Sequence, residues 1–246
     1  MNPAGIAKQK NLSLVAGSES LFGQEYFNHS FFGVQFRLPS YGSFGLSVED
    51  FSVDYSGNSL SKETSIGLHQ GITLSSDRNS TISFGYGIKN YTVDYGSTAG
   101  VTGDGSDGID LGSQSSLGID IGLLASLADR IRFGAKAFNI NSPTLGDANS
   151  AVRLPQRAQV GIAFSPYDLV WTTAALTKST GHASHFHGGM SYHILDNIFL
   201  RAGVMTNPNR FATGFEILIK RMRINYAFMT HPVLPLSHQI SVEVVR

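Results

Sequence analysis

The sequence predicts an all-β fold: a transmembrane antiparallel β-barrel of about fourteen strands, with short periplasmic turns and longer extracellular loops. Three observations predict it. Apolar residues alternate with glycine or small polar residues in one run after another. Turn signals of two lengths alternate along the chain. Only 15% of the 246 residues are charged while 41% are hydrophobic, with 27 Gly and 16 Phe. A water-soluble domain carries about 25% charged residues.

The same totals exclude other classes. Eighteen basic and eighteen acidic residues leave no net charge, so there is no electrostatic footprint for nucleic acid. With no Cys there is neither a disulfide framework nor a thiolate zinc site. The longest apolar runs, such as Ile121–Leu124 and Ile217–Ile219, fall far short of the ~20 residues of a membrane-spanning helix.

Taken in order, the chain opens Met1-Asn2-Pro3-Ala4-Gly5-Ile6, without the basic and apolar regions of a signal peptide. Longer polar breaks follow near Gly17–Asn28, Ser56–Ser61, Gly96–Ser115, Asn141–Gln156, Lys178–Ser184, Thr206–Arg210 and Thr230–Ser237. Between them fall short breaks at Pro39–Ser43, Ser76–Asn79, Leu127–Asp129, Pro166–Asp168, Leu195–Asn197 and Lys220–Arg221. The clearest strands are Ile82-Phe84-Tyr86-Ile88, Leu117-Ile119-Ile121-Leu123, Met222-Ile224-Tyr226-Phe228 and Ile240-Val242-Val244, each alternating with small or polar residues. About 10 residues per tilted strand suffice to cross a bilayer. An even strand count puts both termini on the short-turn side. A soluble β-sandwich would need many charges on its outer face, whereas these polar faces are mostly Gly, Ser, Thr and Asn.

Alternation also assigns directions. Ile119, Ile121, Ile217, Ile240 and Val242 are expected to face lipid, as are Trp171, Tyr192, Tyr226 and Phe228, the Trp and Tyr as interface anchors. Asp120, Arg201, Glu216, Arg223, Gln239 and His193 are expected in the lumen, joined by the apolar Phe138, Leu124, Leu218, Met205 and Met229. The latter imply a partly apolar cavity toward the extracellular half, bordered by the Gly96–Ser115 and Asn141–Gln156 loops. Turn lengths set Asp120 opposite Lys136, Arg223 diagonal to Glu216, and Arg223 opposite Glu243.

Other constellations are weaker. Asp104, Asp107 and Asp110 in a Gly-rich loop offer oxygen ligands to calcium, but their spacing is not that of an EF-hand. His182, His185 and His187 could hold a transition metal, though only the last two share a strand face. Polar rim and lumen residues are the simpler reading of both. No nucleophile elbow, P-loop or zinc-protease motif occurs, so no enzyme activity and no cofactor are expected.

Several segments resemble a known family. Asn2-Pro3-Ala4-Gly5 resembles the N-terminal signature of the FadL-like outer-membrane proteins. Arg153-Leu154-Pro155 leading into Val160–Phe164, Leu195–Gly203, Asn225–Phe228 and Ser237–Ser241 are similar to the PorV/PorQ branch. The resemblance implies a fourteen-stranded barrel in the bacterial outer membrane, with an N-terminal plug. Residues 1–246 would form one barrel domain, 1–10 being what remains of the plug or hatch segment. Met1 is then an internal start or fragment boundary, with an in-frame signal peptide expected upstream. The chain departs from many such barrels in ending Val244-Val245-Arg246 rather than in an aromatic residue. The resemblance implies passive transport of hydrophobic small molecules; the alternative is a component or shuttle of type IX protein secretion. Its partners would be outer-membrane lipid and either a hydrophobic small molecule or secreted proteins.

Overall fold

A computed structural model describes residues 2–9, 11–55, 58–98, 100–103, 107–146 and 151–246. A 3-10 helix, Pro3–Lys8, precedes sixteen strands. These are β1 (Ser13–Ser20), β2 (Phe27–Leu38), β3 (Gly42–Tyr55), β4 (Asn58–Ser76), β5 (Ser80–Asp94), β6 (Ser113–Leu127), β7 (Ile131–Phe138) and β8 (Thr144–Leu145). They continue with β9 (Val152–Arg153), β10 (Arg157–Tyr167), β11 (Val170–Ser179), β12 (His185–Leu195), β13 (Ile198–Met205), β14 (Arg210–Ile219), β15 (Met222–Met229) and β16 (Ser237–Val245). Fourteen of them close an antiparallel barrel, β1 pairing with both β2 and β16. The remaining two, β8 and β9, form a small ribbon inside the β7–β10 connection. Ser13 pairs with Val245, so both ends of the barrel chain lie at the short-turn rim.

The fold is apolar on the outside. Among the described residues, the buried hydrophobic ones are only Ala4, Ile6, Ala7 and Leu145. Leu68, Ile240 and Val204 are more than half exposed. Lipid, not a protein core, takes up these side chains, and closure leaves no unpaired backbone edge within it. This is a membrane-spanning β-barrel.

Because directly opposed residues share a face, pairing fixes every direction. Ile217 pairs with Ile224 and Ile198, and Ile240 with Tyr226, on the outer face. Glu216 opposes Asn225, and Gln239 opposes Ala227, on the inner face. Trp171 corrects the expectation. It shares the inner face with Ser191, Thr173 and Gly189, and its ring lies 4.0 Å from the Arg132 guanidinium. A cation stack in the lumen satisfies it better than the lipid interface.

Two breaks expected as loops are strand instead. Gly17–Ser20 belongs to β1, and β4 begins at Asn58, with Ser56 and Gly57 outside the described residues. Polarity misleads there because β3–β6 outrun the membrane: β4 has 19 residues and β5 and β6 have 15 each, against ~9–11 for a span. Their projecting outer face is polar. The Asp50 carboxylate accepts from Thr64 Oγ1 at 2.9 Å and pairs with Lys62 Nζ at 3.3 Å.

Candidate functional site in the barrel lumen

The N-terminal helix lies inside the barrel against β3–β6. Asn2 caps it, accepting from the Ala4 amide at 3.0 Å, with Pro3 in the first turn where its missing N–H costs nothing. The same side chain ties the helix to the wall, its Nδ2 donating to the Leu123 and Ala135 carbonyls at 3.0 and 3.2 Å. At the other end Lys8 Nζ donates to Ser126 Oγ at 3.1 Å, and Ser43 Oγ donates to the Gln9 carbonyl at 3.2 Å.

Glycines make room for this approach. Gly71, Gly85 and Gly122 stand directly opposite one another on β4, β5 and β6. A Cβ on Gly71 would lie 2.7 Å from the Ala7 amide nitrogen. One on Gly85 would collide with Pro3, and one on Gly122 with the Asn2 side chain. Glycine here has a steric reason, which the alternation of β4–β6 carries but does not by itself disclose.

Above the helix, the β7–β10 connection folds over the mouth. Leu145 is 5% exposed. Asn139, at φ +54°, gives its amide to Asp120 Oδ1 at 3.1 Å and its Nδ2 to the Pro155 carbonyl at 3.2 Å. Beneath lies a cavity of about 220 Å³ lined by Phe51, Tyr91, Val93, Leu145 and Leu154 together with Glu49 and Glu63. Among the described residues, none of the 96–115 loop lines it.

On the opposite wall, charges form a ladder. Glu216, 3% exposed, is hydrogen-bonded by Arg201 and pairs with Arg223 Nε at 3.1 Å. Arg223 also reaches Glu243 at 3.0 Å, whose other oxygen accepts from Ser13 Oγ at 2.6 Å. Arg223 opposes Glu243 and Leu218 directly, which makes it diagonal to Glu216, as turn length predicts. The ladder borders a cavity of about 520 Å³ that Gly203, Gly214, Gln239 and Ser241 also line.

The Asp120–Lys136 pairing fails. Leu127 opposes Ile131, so Lys136 opposes Gly122, two positions away. Ala128 and Asp129 take left-handed φ values of 49° and 53°, and the connection is Ala128–Arg130, one residue further along the chain than the turn signal at Leu127–Asp129 indicates. Lys136 instead lies 4.8 Å from the Phe138 ring, which Lys89 also approaches at 5.8 Å.

Of the other expected lumen residues, Leu124 lines a cavity of about 320 Å³ and Phe138 one of about 520 Å³ near the outer rim. Leu218, Met205 and Met229 occupy inward positions opposite Arg223, Arg210 and Ala212 but border none of these cavities. Asn2, Pro3 and Ala4 meet the wall, whereas Gly5 faces open space.

The metal candidates do not converge. Asp104 lies outside the described residues. The Asp107 carboxylate accepts from Thr102 Oγ1 at 2.7 Å and the Val101 amide at 3.1 Å. The Thr102 hydroxyl thereby holds its pKa below the ordinary carboxylate value. Asp110 accepts from the Gly112 amide at 2.8 Å. His182, His185 and His187 bond separately to the Thr180 carbonyl, the Thr206 carbonyl and the Thr177 hydroxyl.

Comparison with known proteins places this architecture. Residues 1–243 match the family described as the type IX secretion system membrane protein PorP/SprF. The chain belongs to this family. No curated protein sequence matches it. Among solved structures, the PorP/SprF barrel is similar to the Pseudomonas putida toluene transporter TodX, at 13% identity over 99% of this chain and 91% of that one, with a TM-score of 0.62. The monoaromatic hydrocarbon channel CymD gives 11% identity, 100% and 91% coverage and a TM-score of 0.62. A Pseudomonas aeruginosa FadL homologue gives 13%, 99% and 92%, and 0.57. At such identities the likeness is one of fold, and that fold is the FadL-like barrel which the Asn2–Gly5 motif and the C-terminal segments resemble.

Proposed function

We propose that this PorP/SprF protein is a non-catalytic component of type IX secretion that acts through its exposed rims and loops. Family membership across nearly the whole chain carries this reading. It is supported by a lumen filled on its β3–β6 side by the Pro3–Lys8 helix, since a docking role needs no open pore. We also read residues 2–8 as a plug within a single barrel domain.

A second reading, passive transport of a hydrophobic small molecule, has its own support. Proteins of the same fold are named as a toluene transporter and a monoaromatic hydrocarbon channel. An enclosed pocket of about 160 Å³ lies between Ile6 of the helix and Val15 and Phe31 of the wall. It is small beside the ~300–1,000 Å³ of most ligand sites.

One complementation experiment separates the two. In a strain lacking this protein, a Gly203→Trp, Gly214→Trp variant narrows the lumen while leaving loops and rims intact. Secretion restored by that variant supports the docking role. Secretion lost with wild-type amounts of folded barrel would overturn it in favour of passage through the lumen.

A further inference from the structure

Beyond the Arg–Glu ladder, the positive charge of the inner wall gathers on one side. Lys89 of β5, Arg132 and Lys136 of β7, and Arg157 of β10 all occupy inward positions. Among the described residues no carboxylate lies within ion-pair distance of any of them. Their partners are aromatic or neutral. Arg132 lies 4.0 Å from the Trp171 ring, and Lys136 and Lys89 lie 4.8 and 5.8 Å from Phe138. Arg157 Nε donates to Ser179 Oγ at 3.3 Å. An acid of this wall, Asp120, is 1% exposed, its Oδ1 accepting from the Asn139 amide and its Oδ2 without a hydrogen-bond partner among the described residues, and it stands outside ion-pair distance of these cations.

Aromatic faces attract cations but leave their charge in place, and four like charges gathered on one wall keep a positive potential over it. Such a wall is stabilised by an anion. The cavity of about 320 Å³ beside it is lined by Arg132, Lys136, Gln159, Leu124, Ala175 and Asn2, and among the described residues no acidic one borders it. Its volume falls within the range of small-molecule sites, ~300–1,000 Å³.

We propose that this cavity binds a small organic anion. Its carboxylate pairs with Lys136, while Arg132, four residues along the same strand, adds positive potential at the other end of the cavity. Its compact apolar body packs against Leu124 and Ala175. The site is independent of the secretion role and stands or falls separately from it.

Trp171 is the single tryptophan of the chain, and its stack on Arg132 makes it a built-in reporter. Benzoate is titrated into the purified barrel in nonionic detergent at constant ionic strength, followed by Trp171 emission and by calorimetry. The expected result is saturable benzoate binding, with benzyl alcohol, the same ring without the charge, at least about tenfold weaker. Lys136→Gln should weaken benzoate by about tenfold. Lys136→Arg, which keeps the charge, should bind within about threefold of wild type and guards against a mere folding defect. Equal binding of benzyl alcohol, absence of benzoate binding, or full affinity in Lys136→Gln would each overturn the site. Inorganic phosphate binding as tightly as benzoate would overturn the organic part of the ligand.

Discussion

At the scale of single residues, the lumen shows how far turn length can place charges. Glu216 accepts from Arg201, pairs with Arg223 and is nearly inaccessible, whereas Glu243 is more open and holds only Arg223. Removing the inner carboxylate leaves Arg201 without its ion-pair partner and Arg223 with Glu243 alone, so Glu216→Gln should cost about 1–3 kcal/mol and Glu243→Gln less. The lower end is expected, because both arginines are more than a third exposed and partly screened. Urea unfolding in phospholipid vesicles measures both; a larger loss in Glu243→Gln would contradict the ranking. This ladder was legible because the connection at Lys220–Arg221 is a tight turn with one register. Asp120 and Lys136 were not, because the turn built on left-handed Ala128 and Asp129 sits one residue later than the sequence suggests, and its residues carry no glycine signal. Trp171 was misread for another reason. In Trp171-Thr172-Thr173-Ala174-Ala175 both faces are small and neutral, so the side chain's chemistry outweighed a weak alternation.

At the scale of elements, the two faces of one strand make opposite demands. Val242 sits mid-strand on the outer face opposite Ile224 and Ala16, and its neighbour Ser241 borders the 520 Å³ cavity. Val242→Arg should therefore cost ~2–4 kcal/mol and Ser241→Arg much less. Equal costs in the same vesicle assay would refute the facing. The seat of the N-terminal helix is equally specific. A side chain at Gly85 must displace Pro3, while the barrel pairing of β5 stays intact. The chain has no cysteine, so Ala7→Cys, buried in the folded protein, reports the displacement. Maleimide labelling should be at least about tenfold faster in Gly85→Val, following the population of the opened helix. Unchanged labelling would mean that the helix is held elsewhere. The glycines were visible in the sequence as the small face of β4–β6. That they receive a helix was not, because Asn2 and the wall carbonyls of Leu123 and Ala135 that it meets lie 121 and 133 residues apart.

At the scale of the whole molecule, the strand number and closure were legible because the bilayer imposes a strand length and a two-face pattern on every hairpin. The lumen was less so, since water and protein polar groups accept the same side chains and leave no periodic trace. The helix occupies the β3–β6 side, where Gly71, Ser83, Gly85 and Gly122 are buried beneath it. Across from it Thr173, Arg201 and Gln239, all inward by pairing, remain exposed to water. The lumen is thus sealed on one side and hydrated on the other. Removing residues 2–9 takes away the filling of the first side without touching any barrel strand, so the chain should still insert and migrate as a heat-modifiable barrel. In planar bilayers its single-channel steps should be larger than those of the intact protein, because ion flow scales with the free cross-section of the lumen. Restricting the hydrated side instead, with Gly214→Trp, should shrink the steps in both backgrounds. If deletion leaves conductance unchanged while Gly214→Trp abolishes it, the ions pass only along the charged ladder, and the helix serves as a brace for β4–β6 rather than as a stopper.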